Sequence, residues 1–435
     1  MIRTKSFIYI LFLTFIIQKP FLKGQSTYFP PPFSINWDTI HPSSIGWCQN
    51  RVDSLTQYVG STNAKAFIIL KGGKIALEQY YGTFTMDSLW FWASAGKSLA
   101  SVMIGKAQQE GLLNINDSTS HYLGAGWTSC TSAQEGAITL KDQLQMTTGL
   151  NDNVPDDNCT ADTCLIYQAD AGTRWAYHNA PYHLLHNVLE QASGLTLQQY
   201  TNQKIKTPTG MVSGFWFDHV YYSKARDMAR FGLLCAANGN WNGTPVLSDP
   251  TYLNDMKNTS NPYNLSYGYL WWLNGKANFM VPQTQFVFSG SLIPNAPADM
   301  YCALGKYDQK IYIVPSLDIV VVRMGNAATT AALALSAYDN VLWEKIMDMY
   351  CATSLETIVQ KNIKVFPNPA SDVIYIESVN FDSNEKITVT DVLGKIYEVN
   401  ITKETASRIK IDVSGLNEGV YFVGGNSWRQ KILIE

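Results

Sequence analysis

A serine and a lysine three positions apart mark the segment of this 435-residue chain that is best suited to catalysis. Residues 90–100 have the sequence WFWASAGKSLA, from which a helix is predicted to continue over 97–110. Residues three apart on a helix share a face, so we expect the hydroxyl of Ser94 beside the amine of Lys97. A base within hydrogen-bond reach makes a serine hydroxyl nucleophilic. Burial among Trp90 and Trp92 and the helix dipole are expected to lower the pKa of Lys97, as that role requires.

The S-x-x-K pattern does not by itself establish a nucleophile. It recurs at Ser383 and Lys386, in a polar turn near the C-terminus where we expect no chemistry. The alternative interpretation of the first pair is a helix N-cap at Ser94, with Lys97 as a surface charge. Additional residues that serve the same reaction are needed to separate these interpretations.

A second candidate element is the sequence Tyr177-His178-Asn179. A phenol can exchange a proton with the lysine, and a side-chain amide can orient both the lysine and a substrate carbonyl. The Y-x-N pattern recurs at Tyr252 and Tyr338. Only Tyr177 lies between an A-G-T-R turn at 171–174 and an amphipathic helical stretch, predicted over 181–192. This context favours Tyr177 and Asn179 as members of the site.

The charge balance and the N-terminal segment indicate an exported globular protein. The formal net charge of −3 gives no reason to expect nucleic acid or an anionic membrane surface as a partner. Arg3 and Lys5 precede an apolar run over 7–17, shorter than the about 20 residues that span a bilayer. We therefore predict a signal peptide over residues 1–25 and no stable membrane span elsewhere.

Export makes disulfide bonds feasible for the seven cysteines. Cys159 and Cys164 close a short loop and are the preferred pair. Cys48 and Cys351 flank the main domain and are candidates for a second bond if the ends of that domain pack together. The odd number leaves at least one thiol free, and no C-x-x-C spacing indicates a metal site.

The pattern of predicted elements divides the mature chain in two. Helices such as 97–110 alternate with strand-like runs such as 65–70 and 310–314 up to about residue 354. From about residue 362, short strands separated by turn residues follow at close spacing, as in a small β-sandwich. These strands are predicted over 373–377, 386–390, 408–413, 420–423 and 431–434.

Taken in order, these motifs resemble the serine β-lactamase/penicillin-binding-protein superfamily. The nearest branch is that of the class C-like esterases, D-peptidases and 6-aminohexanoate-dimer hydrolases. The matching segments after Lys97 are ITLKDQLQMTTGL at 138–150, the run from Ala171 to Asn179, ARDMARFG at 225–232 and YGYLWW at 267–272. The resemblance implies an α/β (α+β) fold, in which an antiparallel sheet is flanked by helices and a helical subdomain borders the cleft.

The family's third motif, a K-T-G or H-T-G strand, corresponds here to Ala303-Leu304-Gly305. The resemblance implies that the backbone N–H of Lys306, after Gly305, forms the oxyanion hole with the N–H of Ser94. The basic residue that helps to hold a substrate carboxylate in β-lactamases is absent. Lys306 on an extended strand is expected to point away from the face of Gly305. We therefore favour an esterase or amidase over a β-lactamase.

The C-terminal segment resembles the type A sorting domain of the type IX secretion system of Bacteroidetes. The matching features are VFPNPA at 365–370, VLGK at 392–395, LNEGVY at 416–421 and the basic-apolar end QKIL at 430–433. The predicted organisation is a signal peptide at 1–25, a hydrolase domain at 26–355 and a sorting β-sandwich at 356–435. The protein is then secreted or held at the cell surface, with the type IX machinery as a partner. The alternative is a carbohydrate-binding sandwich.

The predicted function is hydrolysis of a small ester, amide or peptide through an acyl-enzyme on Ser94, with Lys97 and Tyr177 as general base and acid. Asn179 is predicted to position the reacting groups, and no cofactor or metal is implied. Two alternatives are a D-amino-acid peptidase or penicillin-binding enzyme acting on wall peptides, and a non-catalytic surface binding protein.

Five further residues carry expectations about their surroundings. His183 and His186 are expected on an ordinary helix surface, since no H-E-x-x-H motif is present. At least one of Trp271 and Trp272 is expected in the core. Gln309 is expected either to contact substrate or to lie in a solvated turn. The absence of a G-x-S-x-G segment argues against an α/β-hydrolase.

Overall fold

The computed structural model describes residues 27–330, 334–351, 363–377, 387–392, 394–405, 407–425 and 428–435. The predicted signal peptide and the second S-x-x-K pattern lie outside these ranges. The described residues fall into two compact units, one ending at Met349 and the other beginning at Tyr350.

The first unit combines helices with a central sheet. Its helices within the described residues are α1 Gln49–Ser61, α2 Gly96–Gln109, α3 Ser120–Leu123, α4 Ser132–Ala137, α5 Leu140–Gln145, α6 Asn179–Ser193, α7 Leu197–Thr201, α8 Thr207–Thr209, α9 Ala225–Ala236, α10 Pro250–Met256 and α11 Ala337–Asp348. Its strands there are β1 Ala64–Lys71, β2 Lys74–Tyr80, β3 Trp90–Phe91, β4 Phe215–Phe217, β5 Val220–Ser223, β6 Asn240–Trp241, β7 Thr244–Pro245, β8 Trp272–Leu273, β9 Asn278–Phe279, β10 Phe288–Ser289, β11 Tyr301–Gly305, β12 Gln309–Val314 and β13 Ile319–Gly325.

The central sheet is six-stranded and antiparallel throughout, in the order β2-β1-β13-β12-β11-β8. Its middle strands β12 and β13 are buried along their whole length and are rich in the β-branched residues that suit a packed sheet. Adjacent residues of β12 face opposite sides. Ile311 packs towards Gly232 of α9, whereas Tyr312 contacts Trp343 of α11. Helices therefore cover both faces of the sheet.

The helices α2 to α8 lie between β3 and β4 in the chain and form the helical subdomain. The observed α2 is shifted by one residue from the helix predicted over 97–110. The observed α6 contains the whole of the helix predicted over 181–192. The left-handed Gly194 ends α6, as a glycine C-cap commonly does. The predicted α/β fold, with an antiparallel sheet flanked by helices, is confirmed.

The second unit is a sandwich of two four-stranded antiparallel sheets, β14-β15-β19-β18 and β17-β16-β20-β21. Its strands are β14 Lys364–Phe366, β15 Val373–Glu377, β16 Thr388–Asp391, β17 Ile396–Tyr397, β18 Ile401–Thr405, β19 Arg408–Asp412, β20 Gly419–Gly424 and β21 Arg429–Ile434. Inward residues such as Ile374, Val389 and Ile411 build a hydrophobic core within this unit. The predicted small β-sandwich is confirmed.

Two of the cysteine predictions concern described residues. Cys159 and Cys164 form the predicted disulfide bond, with Cα atoms 5.9 Å apart. Cys48 is a disulfide-bonded residue, and so is Cys351. Cys130, Cys235 and Cys302 are free thiols, and Cys235 and Cys302 are buried.

Candidate active site

Ser94 lies in a short turn between the strand β3 and the helical subdomain. The 3₁₀ turn Ala93–Ala95 follows β3 and leads directly into α2. Ala93 adopts φ = 47°, a left-handed conformation that costs free energy for a residue with a side chain. Such strain persists where the surrounding structure enforces it, which is common at functional sites.

Lys97 lies one turn further along, in the first turn of α2. Its Nζ is 3.2 Å from the Oγ of Ser94 and donates a hydrogen bond to it. The rings of Tyr177 and Tyr182 face the amine, with centroids 5.2 and 4.3 Å from Nζ. Burial lowers the pKa of Lys97 to about 7, and the negative charge of Asp157 opposes this shift. Close to neutral pH a large fraction of this amine is therefore free to accept a proton.

The aromatic residues that bury Lys97 are not those predicted. Trp90 packs against Phe84 and beneath the amine of Lys65, and Trp92 donates a hydrogen bond to Ser223. The ring of Trp92 packs instead against Tyr221 of β5 and Phe231 of α9. The rings around Lys97 come from α6 and the segment before it, which are distant in the sequence.

Tyr177 is buried beside this pair. Its ring stacks on Trp272 at 5.9 Å, which fixes the orientation of the phenol. Burial raises the pKa of Tyr177 well above the usual value of a phenol, and a hydrogen bond with Ser94 opposes the shift. The phenol is therefore neutral at pH 7 and carries a proton that it can donate.

Asn179 is the first residue of α6 and borders the same space. Its Nδ2 donates a hydrogen bond of 3.0 Å to the carboxylate of Asp157. A carboxylate only accepts, so this bond sets the orientation of the amide. The Oδ1 of Asn179 is buried and has no partner within the described part of the chain. Asp157 was not predicted as a member of the site. Its position two residues before Cys159 was the only local feature of the sequence that could have indicated it.

The end of β11 packs closely against the Ser94 turn. A Cβ at Gly305 would lie 2.3 Å from the backbone oxygen of Trp92 and 3.0 Å from the nitrogen of Ala95. Only glycine permits this approach.

The residues that follow Gly305 differ from the extended strand that was predicted: Lys306–Asp308 form a 3₁₀ turn. Because the chain turns there, Lys306 lines the cleft, and it has no ion-pair partner among the residues that the structure describes.

These residues border a cleft of about 630 Å³. One wall is the loop containing the Cys159–Cys164 disulfide, from which Asp156, Asn158 and Thr160 line the cleft. The opposite lining includes Val220, at the start of β5. The cleft brings Ser94, Lys97, Asn179 and Lys306 together, with Tyr177 buried at the side of Lys97.

The prediction for His183 and His186 was wrong. Both are buried, with 9% and 3% of their surface exposed, and they form a cluster with His219. The rings of His183 and His219 stack at 4.1 Å, and His186 and His219 share a 3.0 Å hydrogen bond between their Nδ1 atoms. Burial lowers the pKa of His183 to about 3 and that of His186 well below its usual value. Neutral imidazoles therefore form the wall next to Lys97, because α6 packs against the β4–β5 hairpin.

The other residues that the sequence analysis singled out lie outside the cleft lining. Trp271 and Trp272 are both in the core. Gln309 is neither solvated nor in the cleft: it is buried and exchanges hydrogen bonds with the backbone of Gly325. The other Y-x-N tyrosines lie elsewhere, Tyr252 donating to the backbone of Ser101 and Tyr338 stacking on Tyr58.

The described residues contain neither a candidate metal site nor a candidate membrane span. No cluster of His, Cys, Asp and Glu side chains within these ranges has an arrangement that would hold a metal ion. No helix there has the length and apolar character that crossing a bilayer requires.

The sheet, the helical subdomain and the cleft between them have the serine-hydrolase fold shared by β-lactamases and penicillin-binding proteins. The model of the β-lactamase family matches residues 55–342, and the chain belongs to that family. The model of the secretion system C-terminal sorting domain matches residues 364–435. Such a domain indicates type IX secretion and a secreted or surface location.

Among curated proteins, the chain is similar to Protein flp of Staphylococcus aureus. Proteins of that name from strains COL and MW2 are 24% and 23% identical over 227 residues. The alignment covers 47% of this chain and 44% of each relative. The chain therefore matches less than half the length of these relatives.

Solved structures extend the similarity over most of the first unit. A Bacillus anthracis protein described as a 6-aminohexanoate-dimer hydrolase has a TM-score of 0.56 at 18% identity, covering 75% of this chain and 90% of its own. A Bacteroides dorei protein described as a β-lactamase has a TM-score of 0.56 at 18% identity, with coverages of 70% and 99%. A penicillin-binding-protein homologue from Caulobacter crescentus has a TM-score of 0.52 at 14% identity, with coverages of 70% and 99%. At these identities the likeness concerns the fold.

Proposed function

We propose that this protein is an exported serine hydrolase that cleaves an ester or amide bond through an acyl-enzyme on Ser94. The observation that carries the proposal is the 3.2 Å contact between the Nζ of Lys97 and the Oγ of Ser94, made by an amine whose pKa burial lowers to about 7. A nucleophile beside a base that is neutral near the working pH is the arrangement that acyl transfer requires.

In the acylation step, the Oγ of Ser94 attacks the substrate carbonyl carbon while its proton passes to the Nζ of Lys97. The tetrahedral intermediate then expels the leaving alcohol or amine. Tyr177, neutral because burial raises its pKa, gives that group a proton and regains one from Lys97. Water releases the acyl group by the reverse proton route, and the serine is restored.

Two backbone N–H groups are assigned to the oxyanion, those of Ser94 and Lys306. The close approach of Gly305 to the backbone of Trp92 and Ala95 supports this assignment, because it brings the two segments together. Each such donor typically contributes about 10²–10³ in rate. Asn179 is assigned to orient the reacting groups through its amide, which Asp157 holds.

The Ser94→Ala variant tests the proposal. We expect hydrolysis of p-nitrophenyl acetate and labelling by a fluorophosphonate probe to fall by several orders of magnitude, because the nucleophile is removed. Ser383→Ala, in the second S-x-x-K pattern, is the matched control and should leave both readouts unchanged. Near-native turnover by the Ser94→Ala protein, or a wild type that never reacts with either reagent, would refute the assignment. The second result would favour a non-catalytic binding protein.

One observation favours a second candidate function, a D-amino-acid peptidase or penicillin-binding enzyme acting on wall peptides. Lys306 lines the cleft, where its ammonium is available to a substrate carboxylate. Acylation of Ser94 by a labelled penicillin, and its loss in Lys306→Met, would support this candidate. Absence of penicillin labelling in a protein that hydrolyses simple esters would exclude it.

Export is proposed to take two steps, through the inner membrane by a signal peptide at residues 1–25 and through the outer membrane by the C-terminal sorting domain. The match of the sorting-domain model to residues 364–435 supports the second step.

A further inference from the structure

The small sheet β3-β5-β4 presents an apolar face outward. Phe215 lies directly opposite Tyr222, and Tyr222 lies directly opposite Phe91, so the three side chains share one face. The alternate residues Trp216 and Tyr221 point to the other face, where Tyr221 is fully buried. An antiparallel sheet with one face in the core ordinarily presents polar side chains on its outer face. Here that face is aromatic.

The rings on this face form a continuous row. Ring centroids are 5.1 Å apart for Phe215 and Tyr222, 6.3 Å for Tyr222 and Phe91, and 5.9 Å for Phe91 and Tyr307. Phe217 extends the row along β4. Phe217, Phe215 and Tyr307 have 67%, 41% and 41% of their surface exposed. We call these five residues, Phe91, Phe215, Phe217, Tyr222 and Tyr307, the aromatic face.

The aromatic face meets the cleft at two points. Val220 lies directly opposite Phe217 in the hairpin and itself lines the cleft. Lys306, the residue before Tyr307, lines the cleft as well. Val220 is apolar, so a substrate held at Ser94 can extend past it from the cleft onto the aromatic face, whereas Asp218, His219 and Lys306 are the polar residues of this border.

Tyr307 is held on this surface at a conformational cost. Its φ of 63° is in the left-handed region, which is unusual for a bulky aromatic residue. The side chain of Gln309 donates a 2.9 Å hydrogen bond to the Tyr307 carbonyl and so fixes the turn. The surroundings thus maintain a strained backbone that keeps a large ring exposed beside the cleft.

We propose that the aromatic face binds the apolar chain of the substrate's acyl group, so that the preferred substrates are esters or amides of long-chain or aromatic acids. This inference rests on the proposed function. The five side chains offer rings and two phenol hydroxyls, and they include no carboxylate, amide or ammonium to pair with sugar hydroxyls. Exposed apolar surface of this kind marks a binding site, and its continuity with the cleft makes the substrate its occupant.

The test compares p-nitrophenyl acetate with p-nitrophenyl decanoate on the full chain. We expect kcat/KM to be at least tenfold higher for the decanoate, because burial of each methylene on the aromatic face is favourable. The double variant Phe215→Ser/Phe217→Ser should reduce that preference at least tenfold, mainly through KM. The matched control is Phe286→Ser/Phe288→Ser, which removes two exposed rings, 4.7 Å apart, from a segment outside the cleft lining. It should retain the preference.

The outcomes separate this inference from the proposed function. If both esters are hydrolysed and the Phe215/Phe217 variant keeps the wild-type preference, the aromatic face does not bind the acyl chain, although Ser94 remains the nucleophile. If neither ester is hydrolysed and no fluorophosphonate labels Ser94, both proposals fail. If light scattering shows a dimer that dissociates in the double variant while the preference is unchanged, the face joins two copies of this chain, and the inference is wrong.

Discussion

At the scale of single residues, the proposed chemistry depends on how nearby charges and aromatic rings set the pKa of the Lys97 amine. Burial by Tyr177 and Tyr182 favours the neutral form of Lys97, whereas the carboxylate of Asp157 favours its protonated form. His183 and His186 also face Lys97, but burial lowers their pKa values, so they add no charge near pH 7. The balance leaves the pKa of Lys97 at about 7.

Asp157→Asn should shift the pH dependence of turnover. In the wild type we expect kcat/KM to rise with pH through about 7, as Lys97 loses its proton. Removing the negative charge lowers the pKa of Lys97 further, so the acid limb should move to lower pH. The Asn side chain still accepts the hydrogen bond from Asn179, so kcat should change little, whereas Asp157→Ala should also lower kcat.

The matched control is Asp162→Asn, which removes an exposed charge from the same loop and should leave the pH dependence of kcat/KM unchanged. An unmoved acid limb in Asp157→Asn would contradict the role of this charge.

Lys97→Met should abolish activity and stabilise the fold. The folded pKa of about 7 is lower than the ordinary value of 10.5, so between these two pH values folding releases a proton that the unfolded chain retains. Burial of the amine therefore costs most below pH 7, and the cost declines as the pH approaches 10.5. We expect the melting temperature of the Met variant to exceed that of the wild type at pH 6 and the gain to shrink at pH 10. A lower melting temperature at pH 6 would mean that a partner stabilises the protonated amine.

At the scale of elements, the site is assembled where the end of a strand meets the beginning of a helix. The Ser94 turn links β3 to α2, β11 ends against it at Gly305, and α6 begins with Asn179 on the far side of the cleft. The sheet and the helical subdomain each supply part of the site. Its geometry therefore depends on how closely β11 approaches the Ser94 turn.

Gly305→Ala tests that dependence. The added Cβ would lie 2.3 Å from the Trp92 carbonyl oxygen, a backbone atom that cannot move aside without displacing the Ser94 turn. We expect kcat/KM to fall at least about 10²-fold, the contribution of one oxyanion donor, in assays with p-nitrophenyl acetate. Gly136→Ala, in helix α4 with no atom within 4 Å of the added Cβ, should retain activity and near-native stability. Wild-type turnover by Gly305→Ala would show that the contact between β11 and the turn does not set the rate.

At the scale of the whole molecule, the chain joins a catalytic fold to a separate sandwich with its own hydrophobic core. The family models match the two parts separately, at residues 55–342 and 364–435. The sorting domain indicates type IX secretion, and the cleft residues all come from the first unit.

A chain ending at residue 355 should keep its esterase activity and lose its passage through the outer membrane. The first unit contains the complete proposed site, so kcat/KM on p-nitrophenyl acetate should match that of the full chain. In a host with type IX machinery, cell fractionation should find the shortened protein in the periplasm and the full chain at the surface or in the medium. Secretion of the shortened protein would contradict the proposed role of residues 356–435.

Much of the molecule is determined by local sequence. The i, i+3 spacing of Ser94 and Lys97 correctly predicted their proximity, because the 3₁₀ turn that holds Ser94 runs directly into the first turn of α2. The short alternating strands of the C-terminal sandwich follow from a pattern with a period of two, and several of their bounds match the predictions to within a residue. The order of family motifs likewise follows from the sequence alone.

Only the tertiary structure decided which distant residues meet around that local pair. Tyr182 rather than Trp92 covers Lys97, Asp157 reaches Asn179 from a loop, and His186 is buried against a hairpin. The turn after Gly305 brings Lys306 into the cleft, where an extended strand would have directed it elsewhere. These contacts depend on the packing of elements that are far apart in the chain, and the period of a sequence pattern carries no information about that packing.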